Sequence, residues 1–283
     1  MKRLISFLLF CLPFFSAPAQ SLLWEVSGNG LAKPSYVFGT IHMICKEDYL
    51  MTEVIRQKFN QADSVFLELD MDDPRLQMEL MNYMQLEKGQ SLRQIFGEEG
   101  YTRLDSFFRV RLNMSVSLFN GFKPFFVLSM LYQKILGCDV QESYELDFVK
   151  MAKAAKKDIR GLETVADQMA VFDSIPDTEE AAAILRMIDG FAEQQQQMQQ
   201  LVKRYLQQDV EGLVQMTLES PDIMNAGERL LKNRNQNWIP RMETSMRTGS
   251  SFFAVGAAHL GGTYGVLALL RQAGYTVKPV SIR

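Results

Sequence analysis

Tyr36-Val37-Phe38-Gly39-Thr40-Ile41-His42 near the start of the chain and Phe252-Phe253-Ala254-Val255-Gly256-Ala257-Ala258-His259 near its end decide how this sequence folds. Each is a short run of apolar and aromatic residues, suited to a buried strand, that closes in a Gly-x-x-His tetrad. His42 and His259 are the only two histidines in 283 residues. Imidazole is the commonest protein ligand for metals and the side chain whose charge changes nearest neutral pH. Placing both at matched strand ends therefore points to one shared site.

Around the first stretch, runs at 22–26 and 35–41 flank Gly28-Asn29-Gly30, a hairpin signal. A helix over 48–61 and a strand over 64–69 complete a β-α-β unit. Around the second stretch, a strand at 251–257, a helix at 264–273 and a strand at 275–282 form another. Between them the pattern is mainly helical: 73–136, then 145–156, a short buried strand at 158–162, a helix at 164–172 and a long helical region from Pro176 to about 218. The glutamine-rich segment 194–200 belongs to that region as a solvated helix face. A last helix follows Pro221 to about Trp238, with Pro240 kinking it or opening a new turn towards Met246. The expected fold is α/β: a central mixed, largely parallel sheet with flanking helices, in one domain over 20–283 with a large helical insertion over about 73–250.

The 47% hydrophobic content supports a sizeable core at this length. Residues 1–19 read as a secretory leader: Lys2 and Arg3, an apolar run over 4–15, then Ala17-Pro18-Ala19 as a small-x-small cleavage site. That places the mature chain in the periplasm or outside the cell. Acylation at Cys11 is disfavoured by Phe10 before it and by its place in the middle of the apolar run. No later run reaches the roughly 18 to 20 apolar residues of a membrane-spanning helix. Basic and acidic residues number 30 and 33, for a net charge of −3, and loss of Lys2 and Arg3 makes the mature chain more acidic. With no basic stripe, nucleic acid is not an expected partner. Export leaves Cys45 and Cys138, for which the sequence leaves three readings open: a disulfide in an oxidising compartment, two unpaired thiols, or Cys45, three residues after His42, as a thiolate ligand.

In open α/β sheets, binding sites form beyond the carboxyl ends of the strands. Four expected strands end there in His42, Glu68, Glu163 and His259. Two imidazoles with one or two carboxylates suit a divalent ion, zinc or manganese, that activates water or polarises a carbonyl. The plainer reading makes Glu68 half of an ion pair and Glu163 a first-turn carboxylate of the following helix. Gly261-Gly262 serves either as a tight turn or as oxyanion-binding amides beside His259. Arg234 is either a surface charge or a clamp for a carboxylate or oxyanion.

The order and spacing of these segments resemble the TraB/GumN family, which is related to the Tiki metalloproteases. The resemblance runs from Leu22-Leu23-Trp24-Glu25-Val26 through Gly39-Thr40-Ile41-His42, Leu67-Glu68-Leu69-Asp70, Lys123-Pro124, Leu146-Asp147, Gly161-Leu162-Glu163-Thr164, Arg234-Asn235 with Trp238, Val255 to Leu260, and Gly274-Tyr275-Thr276-Val277. It implies an exported metal-dependent hydrolase, a peptidase acting on a peptide or a small amide or ester. His42, His259 and Glu68 would hold the metal, and Glu68, Glu163 and Arg234 would act in catalysis. Asp147 and Asn235 match family positions without an assigned role, and with Gly261 and Gly262 they stand as candidate substrate contacts. The competing expectation is a non-catalytic envelope protein that sequesters a peptide, a metal or haem, with a histidine as axial ligand. Glu145 stands where similar sequences often carry a glycine.

Overall fold

The computed structural model describes residues 20–220 and 226–282. The leader expected over 1–19 and the start of the helix expected after Pro221 lie outside the described residues. Strands β1 (Leu23–Ser27) and β2 (Ser35–Thr40) pair antiparallel. They are joined through Gly28, Asn29 and Gly30, whose φ angles of 79°, 48° and 80° favour glycine and asparagine there. The chain continues through β3 (Ile44–Cys45), α1 (Glu53–Gln61) and β4 (Ser64–Leu67). Next come α2 (Leu76–Met84), α3 (Leu92–Leu112), α4 (Pro124–Ile135), β5 (Gln141–Glu142) and α5 (Tyr144–Ala155). After β6 (Ile159–Gly161) follow α6 (Val165–Phe172), α7 (Asp177–Asp189), α8 (Phe191–Leu206), α9 (Val210–Glu219) and α10 (Arg234–Thr248). β7 (Ser251–Gly256), α11 (Val266–Gln272) and β8 (Thr276–Val280) close the fold.

The main sheet has six strands in the order β6-β4-β7-β2-β1-β8. β6, β4, β7 and β2 are mutually parallel, and β1 runs against both β2 and β8, so the expected mixed, largely parallel α/β sheet is present. β2 is buried at every residue and β7 at all but its last, as strands covered on both faces must be. The helix expected from residue 48 begins at Glu53, because the Leu50 amide donates to the Tyr144 hydroxyl while Lys46–Asp48 forms a separate 3-10 turn. α10 runs unbroken through Pro240, preceded by a π-helical turn at Glu228–Asn233. Helices α3, α4 and α7 enclose a second apolar core, built on Leu104, Phe108, Leu131 and Ile184, apart from the core around the sheet.

β3 and β5 pair as a small second sheet, and Cys45 is bonded to Cys138 beside it. The disulfide excludes the thiolate-ligand reading of Cys45. It ties the segment that follows His42 to the segment that precedes α5. Closing a loop of 93 residues stabilises the fold by about 4 kcal/mol in the chain-entropy account. A Cys45→Ser/Cys138→Ser variant is expected to unfold at a clearly lower denaturant midpoint than the oxidised protein; equal midpoints would show that the bond contributes nothing.

Glu180 on α7 is only 4% exposed and lines a cavity of about 610 Å³ with Lys123, Phe125, Phe172 and Asp173. Burial, with repulsion from Asp177, lifts its carboxyl from an ordinary 4.5 to about 8, against the Phe125 amide and Lys123. A carboxyl raised on folding favours the folded state below 4.5, and that contribution drains away as pH rises through 8. Glu180→Gln is therefore expected to match wild type near pH 4.5 and to exceed it increasingly towards pH 8, the gap widening by at most about 1.4 kcal/mol for each step of one in pH. Melting temperatures of the two proteins across that range provide the check.

Candidate functional site

Because β2, β4, β6 and β7 are parallel, the loops after them open at one edge of the sheet. His42 lies two residues beyond β2, Glu68 directly after β4 and Glu163 two residues beyond β6. His259 ends the 3-10 turn Ala257–His259 that follows β7. Two glycines allow these loops to close in. A Cβ on Gly39 would fall 2.7 Å from Leu260 and 3.0 Å from the Ala257 backbone, so the turn that carries His259 can pack on β2 only because residue 39 has no side chain. A Cβ on Gly161 would meet the Glu163 carbonyl at 2.7 Å and the Asp70 amide at 2.9 Å. That approach lets the Glu163 amide donate to the Glu68 carbonyl at 3.0 Å.

At the centre is Arg234, the first residue of α10 and 6% exposed. Its Nε donates to both Glu163 oxygens, at 3.1 and 3.0 Å. Nη2 donates to Glu68 Oε2 and Glu163 Oε1, each at 2.6 Å. Nη1 donates to the Leu230 carbonyl at 3.2 Å and to His259 Nε2 at 3.1 Å. A guanidinium has five N–H donors, so all of them are engaged by the protein itself. Trp238 Nε1 and Gln168 Nε2 complete the shell of Glu163, and Gln168 also reaches Glu68 Oε2 at 3.3 Å. The other Glu68 oxygen accepts the Gly256 amide at 2.8 Å. Burial alone would raise the Glu68 pKa, but Arg234 above all, with His42 and that amide, holds it well below the usual carboxylate range.

His259, 5% exposed, shares this interior. Its ring lies 4.5 Å from that of Trp238, and Nδ1 is 2.6 Å from Asn235 Oδ1. Since Nε2 accepts from Arg234, the proton sits on Nδ1 and is donated to Asn235. Burial pushes the imidazole down to about 3; Glu68 opposes that shift while Arg234 and His42 reinforce it, so the ring is neutral. The Asn235 side-chain amide donates to the His259 and Tyr264 carbonyls, so every polar atom of that side chain is turned to the protein.

His42 is the opposite case. Its side chain is 69% exposed, with Nδ1 3.1 Å from Glu145 Oε1. Crowding by protein atoms disfavours its charge, but Glu145, and more weakly Glu68, outweigh that and lift the imidazole to about 9, with Arg234 opposing. So open a ring is also screened by water, which trims the shift without reversing it.

The structure thus brings His42, Glu68, Glu163, Arg234, Asn235 and His259 to one edge. Asp147 is set apart: it accepts from the Tyr49 hydroxyl and pairs with Lys150 on α5. Gly261 packs against Val210 and Val214 of α9, and the Gly262 amide donates to both Glu211 oxygens at 3.1 Å, as a tight turn with φ of 74°. Gln168 carries no signal in the sequence; Thr40 lies inside the first Gly-x-x-His tetrad and Glu145 departs from the glycine of similar sequences, but nothing in the chain marks either as a site group. A cavity of about 450 Å³, lined by Leu162, Asp167, Asn237 and Arg241, borders the cluster on its Glu163 and Arg234 side.

A divalent ion does not fit this arrangement. Among the described residues no three His, Cys, Asp or Glu side chains stand close enough to share one. Glu68 Oε1 and His259 Nε2 face each other across 3.9 Å, but the lone pair of Nε2 already accepts from Arg234. The cation held between the buried carboxylates is the guanidinium.

The sequence model of the TraB/PrgY/gumN family matches residues 22–279. Among curated proteins, the chain is 24% identical to metalloprotease TIKI2 of Danio rerio over 94% of its own length and 62% of the relative's. It is 23% identical to metalloprotease TIKI2 of Xenopus tropicalis, over 94% and 61%, and 23% identical to metalloprotease TIKI1 of Homo sapiens, over 92% and 62%. The chain therefore spans about six tenths of the length of these relatives. No solved structure matches it. Among the described residues, no helix is long and apolar enough to cross a membrane. With a match that runs from the first strand to the last, this chain belongs to the TraB/PrgY/gumN family.

Proposed function

We propose that this protein is an exported hydrolase of peptide bonds, or of closely similar amide or ester bonds, working at the edge where β2, β4, β6 and β7 end. Similarity to proteins named metalloproteases over more than nine tenths of the chain supports the reaction class. The observation that carries the reading is the convergence of His42, Glu68, Glu163, Arg234 and His259 from five distant segments.

Environment divides the labour. His42, cationic near neutral pH and open to water, is placed to give a proton to a departing amine as a water molecule adds to the acyl carbon, and to regain one from that water. Glu68, held so firmly ionised, orients groups by charge and is a poor proton acceptor. Glu163 and Arg234 fix Glu68 and His259 in place, and the neighbouring cavity offers room for a side chain of the substrate. A library of peptides assayed with and without added zinc, manganese or chelator tests the proposal. His42→Ala is expected to lower kcat/KM by roughly 10²- to 10⁴-fold. Absence of cleavage in every condition, or an unchanged rate in the variant, rejects it.

The divalent ion that the relatives' name implies could enter only if Arg234 released His259 and Glu68. Arg234→Ala is therefore expected to gain more thermal stability from zinc or manganese than wild type does. An equal response in both proteins would remove Arg234 as the competing cation. One feature favours the alternative, sequestration without turnover: Arg234 has no donor left for a substrate, while His42 presents its outer nitrogen to solvent. Haem binding through His42 would give a Soret band that His42→Ala abolishes.

A further inference from the structure

A group that takes no part in the chemistry proposed for the site, Glu145, lies 3.1 Å from Nδ1 of His42. Glu145 belongs to the first turn of α5, where helix amides favour negative charge, and is 9% exposed. Its Oε1 accepts from Thr40 Oγ1 at 2.6 Å, and its Oε2 accepts from Ser143 Oγ at 3.1 Å. Thr40 is the last residue of β2 and 2% exposed, so the carboxylate is anchored from the sheet side as well as from its own helix. Desolvation works against its charge, yet His42, Thr40 and its own amide keep the pKa of Glu145 below the ordinary value. A carboxylate so held is an acceptor only, so the His42 nitrogen that faces it must carry a hydrogen.

We propose that Glu145 is the positioning residue of His42: it fixes the ring with Nδ1–H turned inward and Nε2 presented to the mouth. A free imidazole prefers the opposite tautomer, with its proton on Nε2. Fixing the ring this way makes Nε2 the atom that meets a substrate, releasing its proton when the ring is charged and accepting one when it is not. The charged groups that face the ring are Glu145 from α5, Glu68 beyond β4 and Arg234 of α10, and only the first touches it. The consequence for catalysis rests on the hydrolase reading; the tautomer does not.

With only two histidines in the chain, the test is direct. In the ¹⁵N-labelled protein, with His42 assigned by the loss of its signals in His42→Gln, long-range ¹H–¹⁵N spectra across a pH titration are expected to show Nδ1 protonated throughout and Nε2 as the titrating atom. Glu145→Ala should return the neutral ring to the Nε2–H form. Glu145→Gln, which keeps the shape and can still accept through its amide oxygen, should hold Nδ1–H inward where Glu145→Ala does not. Unchanged His259 signals show that each variant is folded. A wild-type ring protonated on Nε2 instead of Nδ1, or a tautomer indifferent to Glu145→Ala, overturns the inference. In a peptidase assay, Glu145→Gln should retain more of kcat/KM than Glu145→Ala does. Expected spectra with no hydrolysis at any pH would uphold the positioning role while rejecting the hydrolase.

Discussion

One guanidinium holds the working edge of this protein together. The buried side chains of Glu68 and Glu163 both pair with Arg234, and removing one partner from such a group typically costs about 3 to 5 kcal/mol because a buried charge is left stranded. Through them the ends of β4 and β6 are bound to α10, and through Nη1 the turn after β7 is bound as well. Burial keeps His259 neutral, and the same arginine adds to it by occupying the acceptor nitrogen and opposing a second positive charge. The interior half of the site is thus saturated, and reactivity is left to the outer half.

That division explains how two identical Gly-x-x-His signatures yield opposite imidazoles. One ring is enclosed, tilted against Trp238 and held without charge; the other lies at the surface against a carboxylate and is held charged. The glycines differ too. Gly39 is required by a close approach to residues 257 and 260, whereas a Cβ on Gly256 would meet Glu68 and His259 at 3.4 and 3.5 Å, near ordinary contact. Equal spacing in the chain does not mean equal chemistry in space.

Much of the architecture is legible in the chain because its signals are local. The Gly-Asn-Gly turn, the buried apolar runs and the β-α-β units at both ends each depend on a few neighbouring residues, and all appear in the sheet. His42, Glu68, Glu163 and His259 are legible as strand-end residues, whereas the embrace of Arg234 by two carboxylates is a property of the folded interior. Glu145 and His42 are 103 residues apart, and no periodicity links them. Resemblance alone points to Asp147 as a substrate contact, yet it turns to Tyr49 and Lys150; the spacing leaves the Gly262 amide free to be an oxyanion donor, and Glu211 takes it. Competition among distant side chains for the same donors settles such cases, and a linear pattern does not record it.

The position of β7 governs how the molecule can assemble. This late segment of the chain lies in the middle of the sheet, wedged between β4 and β2, while β8 lines up beside β1 at the far edge. Until residue 256 is in place, β2 and β4 have no shared neighbour and the parallel ladder cannot form. Contacts of such wide sequence separation demand large loop closures before they return any stabilisation. Folding should therefore be slow for a chain of this size, and an interrupted synthesis would leave half-built apolar ribbons, the species most inclined to aggregate.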